Sequence, residues 1–273
     1  MTNSTQESYS IFRRMRTTVI ALLIFGLAGC ATPARRLEDA ASAYKHRDYS
    51  TAIDLWRPLA EAGNAVAQTG VGILYENGSG VSQDKAQAVA WYRKAAEQGD
   101  AEAELRLGEG YVQGTGGLPH DVPRGLALMK KAAEQGHIRS FDAIGMLYQH
   151  GLFGIQKDPV QAVVWYRKGA ELGYALDEER LGVAYEFGQG VETDLAQAEL
   201  WYRRAGEHNR KLAEQGDVVA QLSLGTNYEF GGAGFPRDIA AALYWYRKAA
   251  QQDGPLKNST EAAVARLEAQ TAP

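Results

Sequence analysis

Residues Ala88–Gly116 read AVAWYRKAAEQGDAEAELRLGEGYVQGTG. Two apolar patterns lie in this stretch, divided by a glycine. From Lys85 to Gln98, the residues Ala86, Val89, Ala90, Tyr92 or Arg93 and Ala96 include the three- and four-residue spacings of a helical face. Gly99 ends that helix, because glycine tolerates the left-handed conformation that follows a helix C-terminus. Ala101–Gln113 is a second helix, with Leu105, Gly108 and Tyr111 on a shared face. A glycine-rich loop from Gly114 to Asp121 follows.

The pattern recurs along the chain. AEQG stands at 96–99, 133–136 and 213–216, with AEAG at 60–63 and AELG at 170–173. The glycines Gly63, Gly99, Gly136, Gly173, Gly216 and Gly254 are spaced 36, 37, 37, 43 and 38 residues apart. Tyr75, Tyr111, Tyr148, Tyr185 and Tyr228 keep the same phase, each with a glycine three residues before it. Trp-Tyr-Arg starts at Trp91, Trp165, Trp201 and Trp245; Trp56 holds that place in a degenerate first copy and Leu128 in the third. A period of this length marks stacked helical hairpins, each burying its apolar face against its neighbours. A glycine within a helix, as at Gly108, costs up to ~1 kcal/mol relative to alanine. Its recurrence implies close approach of a neighbouring helix. The Trp-Tyr aromatics recur at one structural place and are read as core.

Asp84, Asp121, Asp158, Asp194 and Asp238 recur beside the loops. They read as helix N-caps, whose carboxylates accept from the free amides of the first turn. Pro159 follows Asp158 at the first helical position, where proline fits. Gln87, Gln161 and Gln197, three residues after their aspartates, suggest capping boxes. One copy is longer: Trp91 to Gly99 is 8 residues, and Trp201 to Gly216 is 15. The difference is about two helical turns, so the helix should lengthen with its apolar face in phase. The polar stretch around Gly206–Arg210 is expected to project beyond the stack.

The pattern AxxWYRKAAEQGxxxAExxLGxxYxxGxG resembles the Sel-1-like repeat, a branch of the tetratricopeptide superfamily, over about residues 50–255. The segment Leu37–Leu59, with its turn His46-Arg47-Asp48-Tyr49, looks more like an ordinary tetratricopeptide unit. The resemblance implies an all-α, right-handed α/α superhelical solenoid of about five Sel-1-like repeats plus an N-terminal tetratricopeptide-like unit. The expected organisation is a signal peptide at 1–29, a short tether at 30–34, the N-terminal unit at 35–63, the repeat array at 64–254, and a capping helix and tail at 255–273. It further implies that the first helices line a concave groove and that the protein is a scaffold or adaptor. Carried over from tetratricopeptide positions, the partner-binding groove residues are Glu109 and Gln113; Arg139, Asp142, Met146, Gln149 and His150; Glu179, Glu186 and Phe187; and Glu229 and Phe230. Variation among copies at such positions fits recognition of an extended peptide or partner helix.

The N-terminus carries Arg13, Arg14 and Arg16, then an apolar run from Val19 to Ala28 interrupted by Gly26. The run is too short to span a bilayer and has the form of a signal peptide. Leu27-Ala28-Gly29-Cys30 resembles the bacterial lipobox, which implies lipidation of Cys30, the one cysteine in 273 residues. The residue after it is Ala31 rather than aspartate, which under that resemblance points to the outer membrane. The expectation is a palmitate-bearing lipoprotein facing the periplasm, held by its N-terminal lipid and working close to the membrane surface because its tether is short.

One cysteine excludes a disulfide framework within the chain. The formal charge of −4 would become −6 on loss of residues 1–29, which remove three arginines and one glutamate. No nucleic-acid partner is expected, since the basic excess of such binders is missing. The histidines His46, His120, His137, His150 and His208 form no HExxH, and no GxSxG, P-loop, Ser-xx-Lys or Cys-His nucleophile is present. No catalytic residue, cofactor or metal site is expected. The expected function is a lipid-anchored scaffold for protein partners in a cell-envelope complex. The alternatives are a regulator of a membrane sensor or protease, an exopolysaccharide-export scaffold, and a cell-wall or β-lactam hydrolase.

Overall fold

The computed structural model describes residues 32–231, 234–252, 254 and 256–271. Cys30 and the signal segment lie outside the described residues. Thirteen α-helices and one short 3₁₀ turn are present among the described residues, and no strand. They are α1 Pro33–Lys45, α2 Tyr49–Glu61, α3 Ala65–Asn77, α4 Lys85–Glu97, α5 Ala101–Gln113, α6 Val122–Glu134, α7 Ile138–His150, α8 Pro159–Glu171, α9 Ala175–Phe187, α10 Leu195–Glu214, α11 Val218–Phe230, α12 Ile239–Ala250 and α13 Lys257–Thr271. The architecture is an all-α superhelical solenoid. Each helix packs on its neighbours in sequence, and apolar clusters succeed one another along the array.

The sequence pairs each Trp-Tyr helix with the Leu-Gly-x-x-Tyr helix after it. The most extensive packing instead joins each Leu-Gly-x-x-Tyr helix to the Trp-Tyr helix across the long loop: α3 with α4, α5 with α6, α7 with α8, α9 with α10 and α11 with α12. The recurrent helix glycine is the cause. A Cβ at Gly72, Gly145, Gly182 or Gly225 would run into the ring of Tyr92, Tyr166, Tyr202 or Tyr246. Each ring therefore rests on bare backbone, and the helices approach closely. The tyrosine hydroxyl then donates to the residue just after the preceding repeat tyrosine: Tyr92 to Glu76 at 2.7 Å, Tyr166 to Gln149 at 2.6 Å, Tyr202 to Glu186 at 2.6 Å and Tyr246 to Glu229 at 2.9 Å. In the α5–α6 pair both partners change together. Met129 lies against Gly108, and the acceptor position is the buried, apolar Val112.

All five loop aspartates cap their helices. Asp84 accepts from the Gln87 amide, Asp121 from Arg124, Asp158 from Gln161, Asp194 from Ala196 and Gln197, and Asp238 from Ala241. The expected capping boxes do not close. The aspartate N–H that would donate to the glutamine side chain already donates to the repeat tyrosine's carbonyl: Asp84 to Tyr75, Asp158 to Tyr148 and Asp194 to Tyr185. Gln87 bonds the Asp84 carboxylate instead, at 3.0 Å.

The long helix α10 also corrects an expectation. Its 20 residues confirm the lengthening, but the added stretch does not project. Gly206 and Asn209 are buried, Phe235 lies over Gly206, and His208 and Asn209 reach Glu178 and Glu179 of α9. Arg210 donates to the Tyr228 hydroxyl at 2.8 Å, as Arg57 does to Tyr75 and Arg167 to Tyr185. Arg204, His208 and Asn209 of α10 thus serve α9, and Arg210 serves α11.

Candidate interaction surface

Helices α3, α5, α7, α9 and α11 carry the variable positions, and polar side chains link them from one repeat to the next. Glu76 of α3 pairs with Arg106 of α5 at 3.0 Å. Glu102 of α5 takes Arg106 at 2.6 Å, Arg139 of α7 at 2.8 Å and the His137 ring at 3.0 Å. Burial pushes the Glu102 carboxyl up, but the His137 and Arg106 hydrogen bonds and the Arg139 charge outweigh it and set it at about 2. Asp142 of α7 pairs with Arg180 of α9 at 3.1 Å. Glu229 of α11 pairs with Arg266 of α13 at 2.7 Å. Between α9 and α11 the link runs through α10: Arg204 and His208 hold the buried Glu178, at 3.3 and 2.7 Å.

These bonds sort the groove residues expected from the sequence. Arg139 and Asp142 are engaged in holding one repeat to the next. Gln149, Glu186 and Glu229 hold tyrosine hydroxyls inside their own hairpins, and Glu229 is buried. Glu179 accepts from Asn209 at 3.1 Å; its carboxyl is pushed up, chiefly by burial. Glu109 accepts no hydrogen bond among the described residues, and burial pushes its carboxyl up as well. It lines a small polar pocket with Glu76, Tyr92, Arg106 and Gln113. Met146 takes the position equivalent to Glu109 and is half-buried.

Gln113, His150, Phe187 and Phe230 are the presented members of the set. Each is the last residue of its helix, next to a left-handed glycine at 114, 151, 188 or 231. With Asn77 they form one equivalent row that is polar in the first three copies and aromatic in the last two. Phe187 is 64% exposed and Phe230 68%.

Sequence reasoning missed a second place. In three copies a glutamine after the Trp-Tyr helix bonds a polar residue four before the repeat glycine: Gln98 with Gln68 at 2.8 Å, Gln135 with Glu104 at 2.7 Å and Gln252 with Gln221 at 3.0 Å. The equivalent pair between α8 and α7 is Leu172 and Phe141. The change of AEQG to AELG was its sequence signal.

No group of three or more histidine, cysteine, aspartate or glutamate side chains placed to hold a metal ion occurs among the described residues. None of the helices among them is long and apolar enough to cross a membrane.

A solenoid of paired helices with a left-handed glycine after the first helix of each pair, and in four of the pairs a tyrosine resting on bare backbone between the two, defines a repeat-built protein. The family profile described as Sel1 repeat matches residues 45–64, 65–100, 101–137, 143–174, 178–209 and 218–254, and the chain belongs to that family. Sel1 repeat proteins mediate protein–protein interaction and are generally non-enzymatic. The chain is similar to a Sel1 repeat protein from Oxalobacter formigenes, with 29% identity and a TM-score of 0.58 over 86% of this chain and 94% of that one. It is also similar to c5321, a protective antigen present in uropathogenic Escherichia coli strains, with 27% identity and a TM-score of 0.52. That match covers 88% of this chain, which spans only 58% of the antigen's length. The immunity protein Pa5087 from Pseudomonas aeruginosa shares the fold at 19% identity and a TM-score of 0.50. No curated protein sequence matches the chain.

Proposed function

We propose that the protein is a lipid-anchored interaction scaffold of the bacterial periplasm, acylated at Cys30, attached to the outer membrane and holding a protein partner in a cell-envelope complex. The observation that carries the binding half is the pair Phe187 and Phe230. Two large apolar side chains stand in solvent at equivalent positions where earlier copies present Asn77, Gln113 and His150. Exposed aromatics fixed on rigid helix ends are the anchors that dominate interfaces. The acidic body has no electrostatic attraction to phosphate-rich lipid, so the acyl chains supply the attachment. Each buried methylene contributes ~0.8 kcal/mol, and one chain alone is marginal. Since α1 begins at Pro33, few residues separate Cys30 from the first helix, which keeps the array near the bilayer.

Two measurements test the two halves separately. Metabolic labelling with an alkynyl palmitate should mark the wild type and not Cys30→Ser; equal or absent labelling in both refutes the anchor. In-cell crosslinking should capture a partner that Phe187→Ala/Phe230→Ala loses while the circular dichroism spectrum is unchanged. Capture of the same partner by that variant refutes the binding row.

A further inference from the structure

The junction of α6, α7 and α8 departs from its sister junctions in a concerted way. Phe141 and Leu172 replace the hydrogen-bonded polar pair of the other copies. Trp165 lies beside them, its ring centroid 6.3 Å from that of Phe141. Phe141, Trp165, Leu172 and Ala133 line an open cleft of about 310 Å³, with Glu134, Lys168 and Glu171 also lining it. Leu172 is 58% exposed, where its counterparts Gln98, Gln135 and Gln252 are tied to the preceding helix. At the start of the next helix Tyr174 makes no side-chain cap bond, as His137 makes none at the start of α7, whereas Asn64, Asp100 and Asp217 at the same place do. Departures from local rules concentrated in one joint mark a functional place more often than a random one.

Charge defines the occupant. Glu134 and Glu171 are the last residues of α6 and α8, so two helix C-termini and two carboxylates border the same cleft, and both features favour a cation. Neither glutamate has an ion-pair partner among the described residues. The ammoniums of Lys168 and Lys130 both lie over the Trp165 ring, 4.4 and 6.0 Å from its centroid, and neither forms an ion pair with the two carboxylates among the described residues. The cleft is open to solvent, whereas small-molecule sites enclose most of their ligand. We propose that this cleft docks a protein segment presenting one large aliphatic or aromatic side chain beside an arginine or lysine. The apolar side chain lies on Phe141, Trp165 and Leu172, and the cation meets Glu134 and Glu171. This surface is separate from the row of Phe187 and Phe230 and does not rest on it.

The test uses labelled helical dodecapeptides of alanine and glutamine, read by fluorescence anisotropy on the full chain in detergent. One peptide carries phenylalanine and arginine one turn apart, a second replaces the arginine with glutamate, and a third replaces the phenylalanine with alanine. The first should bind at least ten-fold more tightly than the others. Phe141→Gln/Leu172→Gln, which rebuilds the polar pair of the sister copies and so keeps a foldable joint, should abolish that difference. Glu134→Gln/Glu171→Gln should remove the preference for arginine over glutamate. Phe187→Ala/Phe230→Ala should leave all three affinities unchanged. Equal binding of the three peptides, a preference for the first peptide that survives in folded Phe141→Gln/Leu172→Gln, or a preference for arginine over glutamate that survives in Glu134→Gln/Glu171→Gln, overturns the proposal.

Discussion

Removing the buried carboxyl of Asp177 should stabilise the protein, and the gain should grow with pH. Asp177 is 0% exposed, and neither of its carboxylate oxygens has a hydrogen-bond partner. Burial first, and the Asp142 charge second, hold its carboxyl at about 8, with Arg180 opposing. The raised value means that the fold prefers the protonated form. The stability linked to this group is full below the unfolded value of 3.8 and is lost as pH rises through about 8. Three units of difference are expressed by pH 7, about 4 kcal/mol at ~1.36 kcal/mol per unit. Water entry and local relaxation should reduce this to roughly 2 kcal/mol.

Gly169 provides the control. A methyl placed there would overlap Asp177 Oδ2, whereas sister copies put alanine or serine at both places, as in Ala95 with Ala103 and Ala132 with Ser140. Gly169→Ala alone should therefore cost about 2 kcal/mol or more by overpacking. In the Asp177→Ala background the same change should stabilise, by up to ~1 kcal/mol, through helix propensity. Urea titrations of the four proteins at pH 5, 7 and 8.5 give the cycle. A Gly169→Ala effect identical in both backgrounds, or an Asp177→Ala gain that does not rise with pH, would refute the reasoning.

Gly145→Ala should cost about 1–3 kcal/mol, because the methyl meets the Tyr166 ring and overpacking outweighs the helix gain; thermal melting measures it, and a raised melting point contradicts the contact. Val112→Glu should cost roughly 2 kcal/mol by burying an unpaired carboxyl, and Met129→Tyr should recover much of that loss by supplying the hydroxyl found in sister copies; a cycle with no coupling would show that the two positions are independent. Stability linked to Glu102, whose carboxyl sits at about 2 against 4.5 when unperturbed, is present above pH 4.5 and lost as pH falls toward 2. Arg139→Ala should flatten that acid limb in pH-dependent urea titrations, and an unchanged limb would remove Arg139 from the cause.

The fold was legible because several series keep one phase, and each has a geometric meaning: glycine under tyrosine, aspartate at the N-cap, glycine after the last turn. Gly108 illustrates this, since the sequence alone asks why a helix keeps a destabilising residue. The candidate surface was less legible. Variation among copies and position on the helices mark Gln149, Glu186 and Glu229 as partner contacts, yet each receives a tyrosine hydroxyl from 16 or 17 residues away. Such a bond depends on how the hairpin closes, and a helical-wheel argument does not contain that information. A comparison of copies within the chain does contain part of it. Tyrosine and acceptor vanish together at Met129 and Val112, and glutamine and its partner turn apolar together at Leu172 and Phe141. Residues that change in pairs are touching, and residues that change alone, such as Phe187, face outward.

The same comparison explains the two extra turns of α10 and yields a sharp expectation. Seven residues advance a helix by about 10 Å and rotate it by nearly two full turns, so the face serving α11 stays in phase with the face serving α9 but stands farther along the axis. Deleting 206–212 joins Trp201–Ala205 directly to Ala213–Gly216 and recreates the WYR-x-AAEQG of α4. Arg203 then takes the place six residues before the glycine that Arg210 now fills opposite Tyr228. Glu178 keeps Arg204 and gains Gln215, the pairing that Lys131 and Gln135 give Glu104. The loss falls on Phe235, which now lies over Gly206 and would meet Glu199 instead, for a cost of about 1–3 kcal/mol. The deletion variant should thus remain helical and cooperative in urea while its small-angle scattering profile changes, because α11–α13 slide back by the removed length. Loss of cooperative unfolding would show that the insertion is needed to build the array, and an unchanged scattering profile would show that it sets no displacement.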